Sequence, residues 1–321
     1  MPRPEVKKKQ PSAGFASRKK TLMLLTMVLP GAIWFFLLRY LPMFGIVMAF
    51  QDYKIYSKSP SLVNNIIHSN WVGLKNFRFL YTTKDSWAMI RNTMGYNILW
   101  IALGLIISVS FAIMLNEITN KFTAKVHQTL MFFPYFLSWV VASYFVLAFL
   151  DPTKGLLVHL QRSWGMEPVN WYNDNRPWPV ILTIANVWKL TGYSTILYLA
   201  AITGIDASQY EAASIDGASK WQQIKYVTLP HLRTMVAILL IMNVGKIFNA
   251  DFGLFWNVPM NSGPLFPTTQ VIDTFVYRAL KATGNIGMSS AAGLMQNIVG
   301  FICLMAANTA VRRVDSESSL F

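Results

Sequence analysis

Four polar side chains sit close together in a stretch that is otherwise apolar: Asn243, Lys246, Asn249 and Asp251, with Phe248, Phe252 and Phe255 interleaved. The stretch runs over about 232–256, long enough to cross a bilayer, which takes about 20 mostly apolar residues. A polar group at such depth is costly, so each is a functional candidate by default. Amides and charges bond hydroxyls while aromatic faces cover apolar ring faces, so the mixture suits a polyhydroxylated solute. On one uninterrupted helix, a step of about 100° per residue puts Asn243, Lys246 and Asn249 on neighbouring faces as a single strip. A stretch at about 179–203 offers Asn186, Trp188, Lys189 and Tyr193 in the same way. The competing reading pairs Lys246 with Asp251, or makes all of these groups ties between helices. Asn97 and Asn116 read as packing or helix-end groups.

Between those two apolar stretches lies a hydrophilic one, 204–230, with a pattern of its own: Glu211-Ala212-Ala213, then Asp216-Gly217-Ala218, then Leu229-Pro230. It reads as helix, turn, helix. Ser208 with Glu211 three residues on has capping-box spacing. Ala212 and Ala213 keep the first helix thin enough to enter a groove on another protein. Gly217 breaks it, because glycine tolerates backbone angles that side chains disfavour. Trp221, Ile224 and Val227 recur at helical spacing on the second helix, and Pro230 marks the start of the next apolar stretch.

Catalytic chemistry has little to stand on. The only Gly-Lys pair is Gly245-Lys246, followed by Ile247 rather than Ser or Thr, so the chain lacks a phosphate-binding loop of the Walker type. The four histidines (His68, His127, His159, His231) are scattered, which argues against a metal site, and the single cysteine, Cys303, can form no intramolecular disulfide. If ATP drives this protein, another subunit binds it.

The elements that must position these groups are membrane helices. Of the 321 residues, 54% are hydrophobic and 13% charged, against roughly 25% charged in soluble domains. Six candidate spans fall at about 22–50, 88–116, 128–150, 179–203, 232–256 and 286–311. The first holds Pro30, Pro42 and Arg39; it is too long for a signal peptide and lacks a small-residue cleavage site after it. Net charge is +14, but the bases form no aromatic-interleaved patch, which excludes nucleic acid as the partner. Seven of the 28 Lys and Arg lie in residues 1–20, a basic tail that places the N-terminus in the cytoplasm. Six spans then put both termini there, with fourteen bases inside and ten outside. The outer segments 51–86 and 151–178 are short lids rather than domains. Trp71, Trp87, Trp164, Trp171 and Trp178 beside them read as an aromatic belt at the membrane surface, or else as contacts for an extracytoplasmic partner.

At residues 211–230 the chain resembles the permeases of binding-protein-dependent ABC importers of the carbohydrate type, whose EAA motif this string matches. The LplB-like branch of oligosaccharide and polysaccharide permeases is similar also at Gly73-Leu74-Lys75-Asn76-Phe77, at Asn92-Thr93 and in the tail Ser319-Leu320-Phe321. The resemblance extends from about residue 22 to the end. Ile224 stands where an aromatic is common and Val227 where another aliphatic is, and both keep the face apolar. The large outer domain of the maltose-type permease has no counterpart.

The resemblance implies an all-α membrane protein of six transmembrane helices with a cytoplasmic coupling-helix loop, the type I importer permease fold. Its parts are a tail at 1–20, a transmembrane domain at 21–311 and a short tail at 312–321. Glu211, Ala212, Ala213, Asp216, Gly217, Ala218, Leu229 and Pro230 would couple to an ATPase. The substrate path would take Asn243, Lys246, Asn249, Asp251, Phe255, Trp188 and Tyr193. The implied partners are a second permease, two ATPase subunits carrying ATP and magnesium, an extracytoplasmic solute-binding protein, a glycan and membrane lipid. The alternatives are the same machine with another solute, such as glycerol phosphate or an oligopeptide, and a self-contained secondary transporter or membrane enzyme. A secondary transporter should show paired repeats, and an enzyme a catalytic cluster; neither is evident.

Overall fold

Two Leu-Pro pairs leave the same mark on two long helices. A proline inside a helix has no N–H to donate, and its ring collides with the carbonyl four residues back. In the computed structural model, which describes residues 13–55, 61–82, 85–315 and 320, a single π-helical turn precedes each pair. Before Pro42 the turn is Phe36–Tyr40, and the Leu41 N–H reaches Phe36 O. Before Pro230 it is Ile224–Thr228, and the Leu229 N–H reaches Ile224 O. The wider turn moves the offending carbonyl aside and lets the helix run on.

In chain order, α1 (Ala13–Phe35) continues through the first π turn into a 3-10 stretch, Leu41–Phe50. A minimal antiparallel pair follows, β1 (Gln51–Asp52) with β2 (Asn70–Trp71), enclosing the short α2 (Leu62–His68). Next come α3 (Phe79–Thr82), α4 (Ser86–Asn116), α5 (Lys121–Phe136), α6 (Trp139–Leu150), α7 (Leu156–Ser163) and α8 (Trp178–Thr203). The hydrophilic loop is α9 (Ala207–Ile215) and α10 (Lys220–Gln223), the latter passing through the second π turn into α11 (Leu229–Val244). The chain ends with α12 (Phe252–Asn257), α13 (Phe266–Thr269), α14 (Ile272–Thr283) and α15 (Ile286–Val314). Most of the expected basic tail and of the C-terminal tail lies outside the described residues.

Among the described residues, five helices are long and apolar enough to cross a membrane: Lys20–Phe50, Ser86–Asn116, Trp178–Thr203, Lys220–Val244 and Ile286–Arg313. Counting α5 and α6 as one broken span gives six, as the sequence leads one to expect. Three details differ. The expected third span, 128–150, is not straight but bends by 100° at Leu137–Ser138. Ser138 is extended and its hydroxyl accepts from the Val141 N–H at 3.2 Å, so it starts a new helix as an N-cap. Pro230 does not start the fifth span, because that helix begins at Lys220 and passes through it. Nor does the fifth span reach 256 unbroken; it stops at Val244 and resumes at Phe252.

The centre of the bundle is α8, which touches α4, α5, α11, α12 and α13. One core cluster joins Tyr96, Trp100, Trp178, Leu182, Leu254 and Phe255. A second, nearer the loop, joins Ala112, Leu115, Tyr198, Leu199, Ile202 and Leu232. By contrast, the apolar window of the first span buries nothing, and Phe44 is 73% exposed. Where α5 crosses α8 the backbones meet, since a Cβ at Gly192 would overlap the carbonyl oxygen of Met131. Gly192→Ala is therefore expected to cost about 1–3 kcal/mol through overpacking of this crossing. The thermal midpoint of the purified protein should fall, and an unchanged midpoint would show that the two helices do not approach this closely.

Candidate functional site

The hydrophilic loop folds as a clip. Its first helix, α9, is capped by Asp206 rather than by the expected Ser208: the Asp206 carboxylate accepts from the Ser208 N–H at 3.0 Å. Asp206 is extended and so lies one step outside the helix, whereas Ser208 is already within its first turn. That backbone hydrogen bond holds the Asp206 carboxyl below the usual carboxylate range. The capping box lies instead on the second helix. There the Ser219 N–H donates to Gln222 Oε1 at 2.7 Å, and the Gln222 N–H donates to Ser219 Oγ at 3.4 Å.

Between the helices, Gly217 adopts φ +77°. The Gly217 N–H donates to Ser214 O at 3.1 Å and the Ala218 N–H to Ala213 O at 2.9 Å. Those two bonds, with a left-handed residue between, form a Schellman ending. Side chains then fasten the two arms together. Gln223 Nε2 donates to Ser214 Oγ at 2.9 Å, and the Tyr210 and Thr228 hydroxyls lie 2.9 Å apart. Gln223 and Thr228 are buried and stand five residues apart, the period of the π turn. The expected face of Trp221, Ile224 and Val227 is split, with Ile224 and Val227 half-buried and Trp221 exposed.

Much of the clip faces outward. Glu211, Ala212, Asp216, Gly217, Leu229 and Pro230 are exposed, and Ala213 and Ala218 are half-buried. Ile215 is 87% exposed, and together with Trp221 and Tyr226 it presents apolar surface to whatever covers the loop. Glu211 and Ile215 also line an open groove of about 600 Å³ against Asn116, Glu117 and Thr119 at the end of α4. Across that groove Lys220 Nζ meets Glu117 Oε2 at 3.2 Å. Both are well exposed, so this ion pair contributes about 0–1 kcal/mol and mainly sets position.

The second constellation gathers around the break after α11. Five of the seven expected path residues, Asn243, Lys246, Asn249, Asp251 and Tyr193, line one cavity of about 320 Å³. Asn97, Trp100, Asn186, Ser194 and Tyr198 line it too. Phe255 is instead 3% exposed in the aromatic core, with ring centroids 5.1 Å from Tyr96 and 5.5 Å from Trp100. Trp188 lies outside the cavity, edge-on to Phe145. Lys246 and Asp251 do not form an ion pair, and only Asn243 of the four polar residues belongs to regular helix, so the single-strip geometry does not hold.

The break exists because distant side chains take the place of helical partners. Asn97 Nδ2 donates to Ile247 O at 2.8 Å and to Asn249 O at 3.1 Å. Gln296 Nε2 donates to Phe248 O at 2.8 Å, and the Ala250 N–H donates to Asp273 Oδ2 at 3.0 Å. Asp251 then caps α12, accepting from the Leu254 N–H at 3.3 Å, and its other oxygen accepts from Trp139 Nε1 at 2.5 Å. Trp139 opens α6 at the bend, and Lys189 secures the other side of that bend by donating to Tyr135 O at 2.8 Å. Sequence reasoning had placed Asn97 only as a packing group and had missed Gln296, Asp273 and Trp139. The run Asn249-Ala250-Asp251 was the available signal, since Asn and Asp favour turns and caps.

A helical membrane bundle with a polar cavity among its spans, and an outward-facing clip on one of the spans that line it, defines a transport permease built to work with other chains. The comparisons specify which. The model of the family "binding-protein-dependent transport system inner membrane component" matches residues 101–254. The polygalacturonan/rhamnogalacturonan transport system permease protein YteP of Bacillus subtilis (strain 168) is 34% identical, over 91% of this chain and 88% of its own. Protein LplB of the same organism is 30% identical, over 94% and 92%. A chain in the crystal structure of a bacterial ABC transporter involved in the import of the acidic polysaccharide alginate superposes with a TM-score of 0.81 at 30% identity, covering 94% of this chain and 99% of that one. That transporter has also been solved in complex with an alginate pentasaccharide-bound periplasmic protein, in which the matching chain is 29% identical with a TM-score of 0.81. The chain belongs to this family of inner-membrane components of binding-protein-dependent transport systems, and it is a transport subunit rather than an enzyme.

The left-handed turn of the clip gives a direct test. A β-branched residue in that conformation costs about 1–2 kcal/mol. In Gly217→Val, amide hydrogen exchange over residues 207–230 should speed up about tenfold while the spans stay protected. Unchanged exchange would mean that the clip does not depend on this turn.

Proposed function

We propose that this protein is one permease subunit of an ATP-driven, binding-protein-dependent importer of oligosaccharides or polysaccharide fragments, working by alternating access. One observation carries the reading: the exposed clip and the polar cavity are joined by a single continuous helix, Lys220–Val244. A contact made at one end is thereby delivered to Asn243 at the other. The lining of amides, hydroxyls and aromatic rings suits sugars, and the two Bacillus relatives and the alginate importer bear on the same substrate class.

In this mechanism the residues from Glu211 to Ala218 dock in a cleft of a nucleotide-binding subunit. Ile215 and Trp221 supply apolar contact, and Glu211 and Asp216 meet polar or basic groups. The ATPase partners hold ATP and magnesium and perform the hydrolysis. When two of them close, this chain and a second permease rock between inward-facing and outward-facing states. A solute-binding protein delivers the glycan on the opposite side. The clip lies in the cytoplasm, as do both termini.

Two experiments test the assignment. Purified under mild conditions, the chain should bring with it a second, different permease and an ATPase. Glu211→Lys should lower ATPase recovery more than Glu211→Ala, because reversal adds repulsion where truncation only removes a contact; interface charges act at the level of a few kcal/mol. Sugar uptake by this chain alone, without any ATPase, would overturn the proposal. Separately, Asn243→Ala and Asn249→Ala should alter substrate preference or uptake while the complex still assembles. Wild-type uptake of every substrate by both variants would make these residues ties between helices and nothing more.

A further inference from the structure

Within the cavity, the charges do not cancel locally. Its lining holds two ionisable groups of opposite sign, Lys246 and Asp251. Asp251 is occupied: one oxygen takes the Trp139 indole N–H and the other caps α12. Lys189, the nearby second cation, is occupied as well, donating to Tyr135 O and lying 5.5 Å and 5.3 Å from the ring centroids of Tyr135 and Trp139. Lys246 is exposed and forms no ion pair among the described residues. Helix ties do not leave a lysine in this condition, because an unpaired charge inside an apolar bundle is expensive and is kept where it meets a partner that comes and goes.

We infer that Lys246 is the charge-reading residue of the path and that the substrate is an acidic oligosaccharide of the uronate class, whose carboxylate pairs with the Lys246 ammonium during passage. This rests on the oligosaccharide reading above and deepens it. A single free ammonium matches a single negative charge. A phosphate dianion would call for a second free cation, which the cavity lining does not supply. The neighbouring amides of Asn243 and Asn249 are placed to bond hydroxyls on the same sugar, and Trp100 and Tyr193 offer ring faces. The volume, about 320 Å³, is at the lower end of the range of roughly 300–1,000 Å³ for small-molecule sites, so the path would hold the chain a short segment at a time.

The test uses the complete importer in proteoliposomes with its binding protein, supplied with saturating trigalacturonate or with its neutral methyl ester. In Lys246→Gln, uptake of trigalacturonate should fall at least about tenfold, and Lys246→Arg should keep it within about threefold of wild type. Asn243→Asp places a carboxylate one turn from Lys246, whose N–H bonds Asn243 O at 3.0 Å. It should depress uptake of the acid more than that of the ester. Equal loss in Lys246→Gln and Lys246→Arg, or full uptake of the acid in Lys246→Gln, would overturn the charge-reading role while leaving the importer assignment standing. A wild-type importer that carries only neutral oligosaccharides would overturn the uronate assignment alone. If the wild type carries no oligosaccharide at all, the proposed function itself fails.

Discussion

A chain that crosses a membrane must satisfy its backbone polar groups from within, since hydrocarbon supplies no partners. This protein departs from regular helix at two places within its bundle, the bend at Leu137–Ser138 and the gap between Val244 and Phe252. Each departure frees carbonyls and N–H groups that must be bonded elsewhere. The solution is to fasten the two breaks to each other and to the rest of the bundle. Trp139, at the start of α6, donates to Asp251 at the end of the gap, while Lys189 from α8 crosses to Tyr135. Asn97 from α4, Gln296 from α15 and Asp273 from α14 close the remaining bonds. The cavity sits where regular structure has been given up, and this is why its lining is polar.

That arrangement explains which parts of the molecule were legible in the sequence. Apolar length located the long spans, because burial in lipid demands it whatever the packing. The clip was legible as helix, turn and helix because Gly217 and its neighbours are a local signal, and the turn geometry is decided within a few residues. The gap after Val244 was not legible, because hydropathy averages over it and its fasteners lie far away in the chain. Asn97 and Ile247 are 150 positions apart. For the same reason, Phe255 looked like a candidate for the path and Trp188 like its companion: periodicity says which residues share a helix, but the break rotates everything after it. The cap on α9 was misread between two adjacent candidates, Asp206 and Ser208, where a two-residue shift lies within the usual error of helix boundaries.

The first span presents the opposite situation. It is regular, apolar and almost unattached, resting on the rest of the chain mainly where its last turns meet α15. Fold and contact separate here: local propensity alone makes the helix, and nothing in this chain covers most of it. The central α8 is the converse, with Asn186, Lys189, Thr191 and Thr195 all buried against neighbours. Rigidity is therefore concentrated around α8 and the two breaks.

The continuous helix from Lys220 to Val244 can also be read as a lever. Its 25 residues span about 37 Å at about 1.5 Å per residue. A tilt of about 10° at the clip end would swing the far end sideways by about 6 Å, more than half the diameter of a helix with its side chains. The π turn before Pro230 matters to this arithmetic. Had the proline broken the helix, motion at Gly217 would have been dissipated at a joint about ten residues from the clip's turn. By widening one turn instead, the chain keeps the arm stiff along its full length. The mechanical gain of the machine, how many ångströms of opening result from each degree of rotation at its handle, is thus written into five residues, Ile224–Thr228.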